Sequence, residues 1–164
     1  MFHRVCPERS DTRIRGNAGL EVTPGYLEKI ILHLFQNNYE IVPIGQIEKI
    51  LNGELNGKKF VVFTFDDGYA DNFQYAYPIF KKYEIPFTVY VTTDLPDSKA
   101  ILWWYLLEDL ILKKNRVEFE LHGKAHKFSC TKHWEKEWAY HKIHSLILNG
   151  PSNKLKERVI QVIE

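Results

Sequence analysis

Cysteine, net charge and long apolar runs are all scarce in this chain. Its two cysteines, Cys6 and Cys130, stand at opposite ends of the 164 residues. That spacing excludes a compact disulfide scaffold and a CxxC metal knuckle, so both are read as free thiols. Twenty-two Lys and Arg balance 21 Asp and Glu, for a formal charge of +1. So small an excess of cation does not make a phosphate-tracking surface, and nucleic acid is excluded as the main partner. No stretch approaches the roughly 18 uncharged apolar residues of a membrane span. The start, MFHRVCPERSDTRIR, lacks the apolar core of a secretory signal, so the expected location is the cytoplasm, where the chain is made. Internal repeats and low-complexity segments are missing too. What remains is 45% apolar, 14% aromatic and 26% charged, a globular composition with room for one domain and hardly a second.

Along the chain, strand and helix patterns alternate. Met1 to Val5 reads as the end of a short strand and Pro7 to Gly19 as a charged, turn-rich loop. Thr23 caps a helix that begins at Pro24, with Leu27, Ile30, Ile31, Leu34 and Phe35 on its inner stripe. Tyr39 to Val42 reads as a strand, and Gln46 to Leu51 as a short helix closed by Asn52-Gly53. After a polar turn at Asn56 to Lys59, Phe60 to Phe65 is apolar on both faces, as in a parallel strand covered on each side. Pro78 splits the next segment into a turn around Asp71 to Tyr75 and a helix starting near Pro78 and running to Tyr83, followed by a buried strand from Phe87 to Val91. Strands separated by helices imply right-handed crossovers and a parallel sheet or barrel.

From Ala100 the pattern changes. Ile101 to Leu112 is apolar around most of a helix. A hairpin with Gly123-Lys124 as its turn pairs Val117 with Cys130, Phe119 with Phe128 and Leu121 with His126, leaving Glu120 opposite Lys127. Lys132 to Asn149 reads as a helix, and Ser152 as the cap of a last one with Leu155, Val159, Val162 and Ile163 inward. The expected fold is α/β: a partial, distorted (β/α) barrel with parallel strands, an inserted β-hairpin and C-terminal helices. Residues 1–164 are read as one incomplete domain and 100–164 as a helix-hairpin-helix insert.

The sharpest chemical feature is Asp66-Asp67-Gly68, directly after a buried strand. In α/β folds the ligand crevice lies outside the carboxyl ends of the strands. Neighbouring aspartates repel and lose solvation there unless a cation or hydrogen-bond donors hold them. A divalent metal would do so, and Gly68 allows the sharp turn. The plainer alternative is a loop in which one Asp caps the next helix and the other is solvated.

Thr64-Phe65-Asp66-Asp67-Gly68-Tyr69, extended by Asp71-Asn72, resembles the first motif of the polysaccharide deacetylase family, the NodB-homology domain. His3-Arg4-Val5, TPGYLEKIILHLFQNNYEIVPI, YPIFKKYEIPFTVYVTT and the insert WWYLLEDLIL are similar to it as well, so the likeness runs over most of residues 1–112, the N-terminal portion of such a domain. The resemblance implies metal-dependent hydrolysis of N-acetyl groups on an amino-sugar polysaccharide or surface-glycan precursor. By position it makes Asp66 the general base and Asp67 a ligand of a divalent metal, most often zinc. His3 and Tyr69 are candidate substrate-binding residues beside them.

The family completes its metal site with H-[ST]-x-x-H, and this chain lacks a match. His122-Gly123-Lys124-Ala125-His126 copies the spacing, but the hairpin register sends the two rings to opposite faces, one exposed and one half-packed. His141 and His144 are read as a solvated helix face, and Trp134 and Trp138 as core or domain-contact residues rather than a sugar platform. The chain is therefore expected to be incomplete as a deacetylase and to show little activity alone. One rival reading is a catalytically silent relative that binds a sugar or a protein. Another is a magnesium-dependent phosphoryl-transfer enzyme, which the lack of a glycine-rich phosphate loop weakens.

Overall fold

The structure, a computed structural model, describes residues 1–7, 13–55, 59–93 and 102–163. Parts of the expected loop at Pro7 to Gly19, most of the turn at Asn56 to Lys59 and the start of the helix at Ile101 lie outside the described residues. The chain divides into two compact units, Met1–Glu8 with Leu20–Ala100, and Arg9–Gly19 with Ile101–Glu164. No helix among the described residues is long and apolar enough to cross a membrane.

The first unit is built of short parallel strand pairs. Strand β1 (Arg4–Val5) leads, by way of helix α1 (Arg15–Ala18) of the second unit, to β2 (Glu21–Val22), its parallel partner. Thr23 accepts a hydrogen bond from the Tyr26 amide at 3.1 Å and caps α2 (Pro24–Gln36), whose Leu27 and Ile31 are fully buried. Phe35, placed on the inner stripe by its spacing, is instead 40% exposed because the helix runs past the core at its last turn. Strand β3 (Tyr39–Ile41), a 3₁₀ turn and α3 (Ile47–Leu51) follow.

The run expected to be one strand from Phe60 to Phe65 is two. Strand β4 (Lys59–Val61) pairs with β3, whereas β5 (Thr64–Asp67) pairs with β6 (Thr88–Val91), both in parallel. At Val62–Phe63 the chain passes from one neighbour to the next, with Val61 O taking the Val42 amide and Phe63 O the Thr88 amide. Phe2 makes a further parallel bridge to Phe65. The result is a mixed α/β fold of small parallel sheets, a partial and distorted (β/α) barrel that is not closed among the described residues.

The helix expected to start near Pro78 starts at Tyr77, but the residues before it are not a plain turn. A π-helical turn (Asn72–Ala76) runs straight into α4 (Tyr77–Lys82), in which Pro78 is the second residue and its missing N–H is not needed. Phe63, Phe65, Phe80 and Phe87 meet ring to ring at centroid distances of 4.6–5.8 Å and fix β5 in the core.

The second unit is a hairpin against helices. Helix α5 (Trp103–Lys113) buries Trp103, Leu107 and Ile111. Hairpin strands β7 (Arg116–Leu121) and β8 (Lys124–Ser129) pair Val117 with Phe128, Phe119 with His126 and Leu121 with Lys124. This register is shifted by two residues from the expected one. The turn falls on His122 and Gly123, both at positive φ (54° and 70°), a twist that suits a two-residue hairpin. Because the shift is an even number, every side chain keeps its face. Glu118, not Glu120, lies opposite Lys127.

Helix α6 (His133–Leu148) and α7 (Leu155–Ile163), entered through a 3₁₀ turn that contains Ser152, complete the cluster around Ile143, Ile147, Val159 and Val162. Three further expectations are corrected. Residues 13–19 are not a free loop, since Ile14 and Asn17 are buried in this core. His144 is not solvated, because its ring packs on Trp103 at 4.9 Å and burial lowers its pKa. Trp134 and Trp138 are not core residues but 64% and 51% exposed, as each points away from the α6 face that carries Ala139 and Ile143.

Candidate active site

Asp66 and Asp67 are the last residues of β5, at its carboxyl end. The Asp66 amide donates to Phe2 O at 2.9 Å and the Phe2 amide to Thr64 O at 2.9 Å, so residues 1–3 are laid alongside the pair. Asp67 and Gly68 both have positive φ, 71° and 73°, and reverse the chain within two residues. Glycine is required at the second of these. A Cβ at Gly68 would stand 3.1 and 3.2 Å from the two Val91 methyl carbons.

The two carboxylates are held differently. Asp67 Oδ2 is 3.3 Å from His3 Nδ1, and Asp67 Oδ1 accepts from Thr92 Oγ1 at 3.2 Å. The Asp66 side chain is half-buried and, among the described residues, has no hydrogen-bond partner, which leaves its oxygens open to a ligand or water. Of the four candidate residues, Asp66, Asp67 and His3 are thus brought together. Tyr69 lies on the same loop with its ring 5.0 Å from the Arg4 guanidinium.

Beneath the loop is a support that sequence reasoning did not single out. Asp71 is buried and accepts from Arg4 Nε at 2.7 Å, the Val5 amide at 3.2 Å and Cys6 Sγ at 3.5 Å. Asn72, with its amide nitrogen facing these acceptors, donates to His3 O at 3.1 Å and Asp71 Oδ1 at 3.3 Å. Asp71-Asn72 is visible in the sequence as an extension of the motif, but partners more than sixty residues away are not. Burial, aided by Asp71 and Glu21 and opposed by Arg4, pushes the Cys6 thiol up to about 11. With no metal bound it stays protonated at neutral pH, which makes it a poor nucleophile.

A cavity of about 280 Å³ adjoins the loop, lined by Gly68, Tyr69, Asn72, Phe73, Tyr77 and Phe87 among others. A roomier one, about 650 Å³, opens at the amino ends of β3 and β4, where Tyr39 and Lys59 begin their strands. Ligands of α/β folds bind at the opposite, carboxyl ends; the smaller cavity reaches the loop at that end through Gly68 and Tyr69, and neither Asp66 nor Asp67 lines it.

A catalytic zinc takes three protein ligands besides water. Among the described residues no group of three or more His, Cys, Asp and Glu side chains could hold a metal ion. In the hairpin, His122 is exposed in the turn and His126 is stacked on Phe119 at 5.2 Å, so the pair does not converge. The described residues therefore do not fit a complete zinc centre.

The polysaccharide deacetylase family model matches residues 54–149, more than half of the chain. The chain belongs to the polysaccharide deacetylase family. The match includes the Asp66-Asp67 motif and extends through the hairpin and all of α6, whereas the likeness seen in the motifs ran over residues 1–112. The family assignment is therefore not specifically N-terminal. In Bacillus subtilis (strain 168), "Putative polysaccharide deacetylase YxkH" is 35% identical over 92 residues, 56% of this chain and 30% of that protein. Among solved structures, "Streptococcus pyogenes deacetylase PplD in complex with acetate" superposes with a TM-score of 0.51 at 30% identity, over 61% of this chain and 44% of that one. The chain thus spans less than half the length of either deacetylase relative.

Proposed function

We propose that this chain carries the carboxylate part of an active site that hydrolyses N-acetyl groups on an amino-sugar polysaccharide or surface-glycan precursor. The observation that carries the reading is a half-open pair of adjacent aspartates at the carboxyl end of a parallel strand, inside the segment matched to the deacetylase family. Asp66, with no hydrogen bond to its side chain among the described residues, takes a proton from the attacking water. The water oxygen adds to the acetamide carbonyl, the C–N bond breaks as the proton taken by Asp66 passes to the nitrogen, and acetate and a free amine leave. Asp67, held by His3 and Thr92, would be one ligand of a divalent metal, zinc by the family resemblance, and the described residues do not complete its ligand set. His3 and Tyr69 face the substrate from the edge of the same loop.

A second reading, a catalytically silent relative that binds a glycan or protein, is favoured by the incomplete ligand set. The two separate in the longest natural form of the protein, by metal analysis together with acetate release from an acetylated oligosaccharide. Asp66→Asn is expected to keep the metal and lose about 10²- to 10⁴-fold in turnover. Asp67→Asn loses both. Equal metal retention in the two variants overturns the division of roles, and a parent protein that neither binds metal nor releases acetate establishes the silent reading.

A further inference from the structure

The two faces of the β5–β6 pair differ in chemistry. Phe65, fully buried, is in register with Val89 and belongs to the aromatic core with Phe80 and Phe87. The alternate residues Thr64 and Asp66 are in register with Thr88 and Tyr90. Residues in register on neighbouring strands share a face, so Tyr90 emerges beside Asp66 at the strand separation of about 4.8 Å. Tyr90 is 51% exposed and, among the described residues, makes neither a hydrogen bond nor a ring contact. Phe73 stacks on Tyr77 at 5.5 Å and Trp138 packs on Phe128 and Lys142, whereas Tyr26 and Trp134 are as exposed and as free of ring contacts among the described residues as Tyr90; what sets Tyr90 apart from those two is its register with Asp66.

We infer that Tyr90 is a substrate-contact residue whose ring forms the wall against which the acetamido sugar rests while Asp66, beside it, meets the water. This rests on the deacetylase reading. The C–H face of a pyranose and the acetyl methyl are apolar and cover an aromatic ring that is otherwise left in water. Such a contact is the same before and during reaction, so it contributes to binding rather than to the chemical step.

The test is saturation-transfer NMR of this chain with an N-acetylglucosamine tetramer, which requires no turnover. The unsubstituted chain saturates the acetyl methyl and ring protons, and Asp66→Asn does so equally. Tyr90→Phe keeps the affinity within about twofold, whereas Tyr90→Ala weakens it about tenfold. An amide spectrum like that of the unsubstituted chain shows that the alanine variant is folded; if it is not, Tyr90→Leu, apolar without a π face, replaces it with the same expectation. Unchanged affinity in Tyr90→Ala, or loss in Tyr90→Phe equal to that in Tyr90→Ala, overturns the ring contact and leaves the deacetylase reading intact. Absence of saturation transfer to the tetramer from the unsubstituted chain overturns both.

Discussion

Both units enclose a carboxylate among donors, Glu108 in the helical unit and Asp71 in the strand unit, but the strand unit also ends β5 in a pair that it leaves half-open. In the helical unit Glu108 is 3% exposed and saturated with donors: Arg13 Nε and Nη2 at 3.0 and 2.8 Å, the Ile14 amide at 3.2 Å and Asn17 Nδ2 at 2.8 Å. Tyr140 closes the network by donating to Asn17 Oδ1 at 2.7 Å. In the strand unit Asp66 has no such partner among the described residues, and Asp67 has two long hydrogen bonds at the edge of solvent. A carboxylate with every lone pair satisfied is part of the frame. One left half-open where a strand ends can still act on something else.

The contrast can be broken by substitution. Glu108→Ala removes the buried carboxylate that Arg13, Asn17 and the Ile14 amide share and is expected to destabilise the helical unit by about 3–5 kcal/mol. All four tryptophans, Trp103, Trp104, Trp134 and Trp138, belong to that unit, so urea unfolding followed by indole fluorescence reads it directly. Asp66→Asn should shift the amide-exchange stability of the strand unit by no more than about 0.5 kcal/mol. If it destabilises its unit as much as Glu108→Ala does, Asp66 is structural and the distinction falls.

Gly68→Ala is expected to cost the strand unit about 1–2 kcal/mol, through the positive φ and the close Val91 methyls, in the same exchange measurement. A neutral result would mean that the Asp67-Gly68 reversal is not fixed.

Acid sharpens the same comparison. Burial raises the Glu108 pKa, but the hydrogen bonds from Arg13 and Asn17 and the Arg13 charge outweigh it and hold the carboxyl below its ordinary value. A folded value below the unfolded one means that its stabilisation is full above the unfolded pKa, about 4.3, and is lost as pH falls through the folded value. Urea midpoints of the helical unit should therefore drop below about pH 4. Glu108→Gln, less stable at neutral pH, should drop less over that window. Parallel pH profiles would show that Glu108 is not the group responsible. The smallest effect belongs to Trp134→Ala, within about 0.5 kcal/mol by the same unfolding assay, because its ring is 64% exposed.

Much of the frame was legible because it depends on neighbours in sequence. Thr23-Pro24 and the Leu27–Ile31 spacing announce α2, and Gly123 with alternating Val117, Phe119 and Leu121 announces the hairpin. The failures have local physical causes. A turn residue at positive φ that is not glycine, His122, shifted the hairpin register by two. A π-helical turn precedes Pro78 in place of a plain turn, and Val62–Phe63 changed partners in mid-run. At the site, the motif marks Asp66 and Asp67, but nothing in their spacing shows that His3 reaches Asp67 or that Tyr90 stands beside Asp66.

By itself, the order of residues determined the alternation of strands and helices, the abrupt end of β5 in two acids and a glycine, and the resemblance that those acids carry. These follow from hydrophobic period and turn chemistry, which act over a few residues. Tertiary structure alone decided which carboxylates are enclosed and which stay open. Whether a polar side chain is satisfied depends on donors that folding brings from distant parts of the chain, as Arg13 comes to Glu108 and Arg4 to Asp71.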